Sequence, residues 1–397
     1  MTKDFGPVLG SMIARTGWGE DKTSSDVVAE IKGGGFHFGN HQHADAGALQ
    51  IYHHGIQVGD LGLYLSYGSP YDFNFNKRSV AHSMLLVRDP NEPLLFRTKS
   101  NDGGTRFSQR FPRTVREVLT DSWFRTGYVR SSDFGPDSKK PVFSYFNTDL
   151  TAAYTSKVEA YSRSFLFLNT GKKDVPAIIL LWDQVKSAKK SFAKFWQINT
   201  LYNPEVADSG KIRLYGIAGG KSGNTEVNML KPAWNERKME IKGGDSVGYV
   251  FGDLYSVKSP WPEARGYRIM ISHADEMKQT EFLTVFQMVE EGQKPYPLNY
   301  EERKDFIRLI TDNKVIIMAR PESLLHEKIV FSLPGEKLYE VIITGIKEGF
   351  WNISGSKRKG FNYWVQKDKN TIYFTGKDEE IVLNPGRDYE SDEGSYD

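Results

Sequence analysis

Apolar residues along this chain come in short runs, broken every few positions by Gly, Asn, Asp or Pro. Helices need an apolar stripe recurring every three or four residues over roughly ten or more positions. The runs here are too short for that and read as strands. The clearest are Ala48–Tyr52, Ser83–Val87, Val142–Phe146, Arg163–Leu168, Ala177–Trp182, Lys194–Ile198, Val247–Phe251, Tyr267–Ile271 and Glu281–Phe286. Their density predicts an all-β fold, a two-layer antiparallel β-sandwich, over residues 1–305. One short helix is expected around 114–122. The pattern breaks near Tyr296–Lys304, which is rich in Pro and charge. Beyond it, Lys314–Met318, Lys328–Ser332, Tyr339–Thr344, Asn362–Val365 and Thr371–Thr375 predict a small second β domain over 306–386. Residues 387–397 are polar and acidic and read as a mobile tail.

Composition narrows the chemistry. The chain has 397 residues and no cysteine, so disulfides and thiolate metal sites are both excluded. Any metal must be held by His, Asp or Glu. No apolar run approaches the roughly 18 residues of a membrane span. The N-terminal segment lacks the apolar core and cleavage site of a signal peptide, which leaves localisation open. A net charge of +2 gives no reason to expect nucleic acid. The charge is unevenly placed, however. Between Lys77 and Arg116, basic residues (Lys77, Arg78, Arg88, Arg97, Lys99, Arg106, Arg110, Arg113, Arg116) far outnumber acidic ones (Asp89, Glu92, Asp102). Such a stretch suits an anionic ligand, or is simply a solvated face.

The most informative segment is Asn40-His-Gln-His-Ala-Asp-Ala-Gly47. If it is extended, His41, His43 and Asp45 share one face, because side chains alternate along a strand. A lone histidine is usually structural, but most of this chain's histidines crowd between His37 and His82. Imidazoles and a carboxylate are what Zn²⁺ accepts when thiolates are absent. Two ligand sets compete: a local one of His41, His43 and Asp45, and a distributed one of His43, Asp60 and His82. Spacing alone does not choose between them. Gly35, His41 and His43 also echo the first motif of a cupin barrel. That motif requires Glu four or five positions after the second histidine, where Gly47 and Ala48 stand, so the cupin reading fails.

A different resemblance holds over most of the chain. Ala14–Trp18, Phe38–Gly47, Ile51–Gly55, Gly59–Tyr64, Asn76–His82, Leu86–Pro90 and Asp149–Tyr154 follow one another in the order found in heparinase II/III-like polysaccharide lyases. The sequence resembles heparinase II most closely. The resemblance implies that His43, Asp60 and His82 bind a structural Zn²⁺, which ranks the distributed set first. It implies that His41 faces the sugar cleft, that Asp45 orients a histidine, and that Tyr67 or Tyr71 faces substrate. Lys77, Arg78 and Arg106 would recognise sulfate or carboxylate, Arg being suited to bidentate contacts. Asn199 stands where relatives often carry histidine.

The implied activity is β-elimination on a uronate-containing acidic polysaccharide such as heparin or heparan sulfate. The alternative is a non-catalytic, zinc-stabilised β-sandwich that binds acidic glycans. Family members begin with a helical toroid that supplies part of the catalytic set, and no helical repeat precedes Arg15. Little or no activity is therefore expected of this chain by itself. A separate toroid chain is an implied partner, and a homodimer is left open.

Overall fold

The computed structural model describes residues 1–386 except 20, 22, 40, 107–109 and 378. The acidic segment 387–397, expected to be mobile, lies outside the described residues. Strands (47%) far outweigh helical turns (9%), as the short apolar runs predict. Two compact units divide the chain: Met1–Arg130 with Asp137–Pro295, and Ser131–Pro136 with the residues from Tyr296 onward. No helix among the described residues is long and apolar enough to cross a membrane.

The first unit is built from antiparallel sheets. Thr2–Asp4, Ser11–Arg15, Val28–Lys32, Leu49–Tyr52 and Ile56–Val58 form a meander in chain order. A four-stranded sheet orders Arg237–Gly243, Tyr267–His273, Ala193–Thr200 and Leu85–Arg88. A longer sheet sets Ile212–Ala218, Lys221–Lys231, Gln279–Glu290, Ala177–Ser187, Val158–Asn169 and Phe143–Asp149 side by side. Ile31 and Leu49 of the meander, Trp196 and Ile269 of the four-stranded sheet, and Phe165 and Ile179 of the long sheet share one buried cluster. The two smaller sheets thus pack against the long one, as in a sandwich. The strand Ala177–Ser187 is buried almost from end to end. Its sequence therefore shows a continuous apolar run in place of alternation. The expected helix is present at Val115–Thr120, where the Thr114 side chain accepts the Glu117 N–H as an N-cap. The expected strand at Val247–Phe251 shrinks to the two-residue Tyr249–Val250.

A buried ion pair runs through this core. Arg163 and Asp183 stand opposite each other on paired strands, both sealed from solvent. The guanidinium bonds both carboxylate oxygens, Nε to Oδ1 at 2.5 Å and Nη2 to Oδ2 at 3.0 Å. The Tyr161 hydroxyl donates to the same Oδ1 at 2.8 Å. The remaining guanidinium nitrogen, Nη1, donates to the carbonyl of Gly47 and so reaches the histidine segment.

The second unit begins before residue 306. Asn299–Glu302 pairs with Phe306–Thr311 and extends a sheet with Lys314–Ala319, Tyr339–Thr344 and Thr371–Gly376. The central pair, Lys314–Ala319 with Tyr339–Thr344, is parallel. Ile329–Leu333, Glu379–Pro385, Gly349–Gly355 and Arg358–Val365 make a second sheet. Val315, Val341, Ile372, Trp351, Ile353 and Ile381 from both sheets form its own core.

Removing one member of a buried, hydrogen-bonded ion pair strands the other charge, at a cost of about 3–5 kcal/mol. Asp183→Ala is expected to lower stability by that amount in urea titration followed by circular dichroism. A loss below ~1 kcal/mol, the range of exposed pairs, would show that Arg163 finds another partner.

Candidate active site and metal centre

The segment carrying His41 and His43 is not a strand. His41 adopts a left-handed backbone conformation (φ 59°) and is exposed, while His43 and Asp45 are partly buried. The common face expected of His41, His43 and Asp45 therefore does not form. Hydrogen bonds fix the rest of the segment. Ala44 N–H donates to the Lys77 carbonyl at 2.9 Å, and the Ser79 hydroxyl donates to the Ala44 carbonyl at 2.6 Å. Gly47 N–H donates to the Lys32 carbonyl at 2.8 Å. At φ 99°, Gly47 holds a conformation that side-chain-bearing residues rarely adopt, and an added Cβ would stand 2.9 Å from Leu150.

His43, Asp60 and His82 come together from separate elements. Asp60 follows the strand Ile56–Val58, and His82 follows the turn Ser79–Ala81. His43 Nδ1 lies 3.2 Å from His82 Nε2, and His82 Nδ1 lies 2.8 Å from Asp60 Oδ1. The other Asp60 oxygen accepts from Gln50 Nε2 at 3.0 Å. Gln197 Nε2 fixes the His82 carbonyl at 2.8 Å. The charges divide unequally. Burial alone would lower the buried His82, but Asp60 outweighs it and raises its pKa. Burial would raise Asp60, yet His82 holds it below the usual carboxylate range. Burial and the neighbouring His82 lower His43 to about 4, so at neutral pH it is an uncharged imidazole.

Two imidazoles and a carboxylate, with Asp60 Oδ1 and His82 Nδ1 buried and short of well-directed hydrogen bonds, are a donor set that suits Zn²⁺. As they stand the groups form a relay, His82 turning one nitrogen to each neighbour, and their ligand atoms do not all lie within 4.8 Å of one another. Asn199, 0% exposed with neither amide atom bonded, accepts through its carbonyl from Gly59 N–H at 3.0 Å, next to Asp60.

A cavity of about 290 Å³ opens beside His43, lined among others by Lys32, His37, Gln42, Asp45 and Arg106. Lys32 Nζ pairs with Asp45 at 2.5 Å. Burial alone would lower the Lys32 pKa, but Asp45 outweighs it and raises it. Arg106 donates to the Arg125 carbonyl at 2.6 Å and lies over the Trp123 ring, 5.4 Å from its centroid. The cavity therefore presents the Arg106 cation, a Lys32–Asp45 ion pair and the uncharged His43 imidazole.

Other expected site residues stand elsewhere or bond otherwise. Asp45, expected to orient a histidine, bonds Lys32. Lys77 is buried, 3.2 Å from Asp72 and beneath the rings of Tyr67 and Phe73 at 4.8 and 5.3 Å. It is a desolvated cation among aromatics and unfit to meet a sulfate. Arg78 is buried against Asp102, whose carboxylate also accepts Val80 and Gly104 N–H groups. Tyr71 is buried among Leu61, Phe75 and Val80, and burial raises its hydroxyl to about 12. Tyr67 is exposed. Lys32 and Gln50 went unnoticed in the sequence. Both sit on strands whose alternation, once recognised, turns every second side chain toward this region.

Residues 300–385 match the heparinase II C-terminal domain family. No curated protein matches the chain. Among solved structures, the fold is similar to that of a heparan sulfate lyase from Pedobacter heparinus, with a TM-score of 0.51 and 15% identity over 81% of this chain and 42% of that one. A heparinase III is similar at a TM-score of 0.48 and 14% identity, over 78% of this chain and 40% of that one. This chain thus spans less than half the length of either. The family match thus concerns the C-terminal domain, and the likeness to the heparan sulfate lyase concerns the fold.

The depressed His43 sets a pH dependence for chelator-treated protein. As pH falls from 6.5 to about 4, the unfolded chain takes up a proton that folded His43 refuses, so stability falls. Asp60 adds a loss at still lower pH, as pH falls through its depressed value. His82 acts oppositely: its contribution is full below the ordinary imidazole range and is lost as pH rises through its raised value. His43→Gln should lessen the fall in melting temperature between pH 6.5 and 4, part of it remaining because His53, likewise lowered to about 4, acts over the same range. An unchanged profile would mean that His43 does not titrate as described.

Proposed function

We propose that this chain, heparinase-like in its C-terminal domain and in its fold, forms one wall of a polysaccharide lyase site. The substrate is an acidic, uronate-containing glycosaminoglycan of the heparin or heparan sulfate class. The observation that carries the reading is the convergence of His43, Asp60 and His82 beside a cavity holding Lys32 and Arg106. His43, Asp60 and His82 would hold the Zn²⁺. When bound, the ion would supply a fixed positive charge tying three segments together, a structural role.

The chemistry asked of the remaining residues is β-elimination. A base takes the proton at C5 of the uronate, the electron pair forms the C4–C5 double bond, and the glycosidic oxygen at C4 leaves with a proton from an acid. The C5 proton is weakly acidic, so the carboxylate beside it must be neutralised as charge develops. Arg106 would supply positive charge at the cavity, with Lys32 beside it in its pair with Asp45. His41, exposed two positions before His43, is the residue assigned to act on substrate as base or carboxylate partner. Tyr67, the exposed one of the two tyrosines, is the remaining candidate acid. The second wall would come from a helical half, on this chain's own polypeptide or another. A glycan held by one wall is loosely placed, and misplacement by about 1 Å can cost a hundredfold in rate.

A second reading, glycan binding without cleavage, is favoured by the burial of Tyr71, which leaves one candidate acid in place of two. The assay that separates them is incubation with heparin, heparan sulfate and alginate, followed by ultraviolet absorbance, because elimination leaves an absorbing double bond. The chain supplied with a helical half is expected to give absorbing product, and the chain by itself at least a hundredfold less. Binding without any absorbance in either case would sink the lyase reading. Within an active preparation, His41→Ala should abolish turnover with zinc content and melting temperature nearly unchanged. His43→Ala should lose zinc and melt at a lower temperature.

A further inference from the structure

A second histidine cluster stands apart from the cavity, and no step above uses it. His53 and His54 occupy the turn between Leu49–Tyr52 and Ile56–Val58, while Glu290 ends the long strand Gln279–Glu290. Glu290 Oε1 and Oε2 lie 2.9 and 3.0 Å from His54 Nε2, and Oε1 lies 3.7 Å from His53 Nε2. Among the described residues, this is the group of three whose ligand atoms all lie within 4.8 Å of one another. Tetrahedral Zn²⁺ with bonds of about 2.0–2.2 Å sets neighbouring ligand atoms ~3.4 Å apart. The observed 2.9 and 3.7 Å bracket that spacing.

A plain His54–Glu290 ion pair leaves much unexplained. The His53 ring is 0% exposed, yet neither of its nitrogens makes a well-directed hydrogen bond, and His54 Nδ1 is likewise unbonded. The Val289 and Ser25 backbones favour a charged His53 without closing such a bond, and burial beside His54 still drives its pKa down to about 4. Two imidazoles therefore converge on one carboxylate, and the more deeply buried one, uncharged, keeps a lone pair on one ring nitrogen for a metal ion. The surroundings hold this arrangement firmly. His54 adopts a left-handed backbone (φ 47°), a strained choice for a residue with a side chain. Gly223, opposite Glu290 in register, leaves room for the His53 ring, since a Cβ there would lie 2.6 Å from its Cδ2. Gln57 Nε2 joins the His53 and Gly223 carbonyls at 2.7 and 2.8 Å. Glu290, a quarter exposed, leaves one side open to an entering ion or a water ligand.

We propose that His53, His54 and Glu290 form a divalent-cation site, suited to Zn²⁺, that fastens the meander's last hairpin to the long sheet. The proposal is independent of the lyase reading and of the His43 centre. Its test is metal stoichiometry on the full chain, purified without chelator and then stripped and titrated with Zn²⁺ or Co²⁺. Glu290→Gln keeps the shape of the side chain and removes its charge. It should lower bound zinc by about one equivalent per chain and shrink the rise in melting temperature that zinc gives the stripped protein. His82→Asn should leave that equivalent in place, and its Co²⁺ complex should keep a tetrahedral absorption band that disappears when Glu290→Gln is added. His54→Asn, read by zinc content with circular dichroism to confirm folding, provides a second variant. If Glu290→Gln and His54→Asn both retain the full metal complement of the parent chain, or the parent takes up no cation that they lose, the proposal is overturned.

Discussion

The buried pairing of Arg163 with Asp183 is the constraint from which the histidine region takes its position. A guanidinium inside a sheet core is tolerable only when its donors are satisfied, and Asp183 satisfies two of its nitrogens. The third is bound to the Gly47 carbonyl, so a requirement of the core becomes an anchor for a surface segment. His43 and Asp45 lie just before Gly47, in a segment that the Ala44 and Gly47 N–H groups tie further to the Lys77 and Lys32 carbonyls. Lys32 in turn belongs to a core strand whose alternate residues are buried. Side chains set on sheet strands and short, tied segments are placed more sharply than those on free loops.

The inner strands of the long sheet are legible because burial on both faces writes itself as an uninterrupted apolar run, as in Ala177–Trp182. Ile212–Ala218 and Lys221–Lys231 of the same sheet are interrupted by exposed and polar residues and show no such run. The meander strands Ser11–Arg15 and Val28–Lys32 were not singled out. Each buries only every second residue, and small or charged residues such as Ala14, Ala29 and Glu30 dilute the signal. Asn299–Glu302 lies where the apolar pattern breaks, its side chains being mostly polar, although its backbone pairs within the second unit.

The site was legible to different degrees for physical reasons. His43, Asp60 and His82 are brought together by tertiary folding, which no spacing rule contains, and it was the resemblance that ranked this set first. Charge counting suggested a basic surface, but it cannot see depth. Lys77 is roofed by aromatic rings and Arg78 is taken up by Asp102. Arg110 is engaged by Glu117 and Asp121. Of the three substrate contacts first considered, Arg106 alone lines the cavity. The pair His53–His54 was visible as two adjacent letters, but its third member lies 236 residues away.

The anchoring of the segment from Ala44 to Gly47 also bears on the entropy of any association at the neighbouring cavity. Immobilising a backbone residue costs about 1–2 kcal/mol, and a ligand that must order a floppy loop loses that much affinity for every residue it stills. Here the hydrogen bonds to Lys32, Lys77, Ser79 and Arg163 have already met that cost during folding. A molecule settling against His43 and Asp45 meets a wall that is ordered before it arrives.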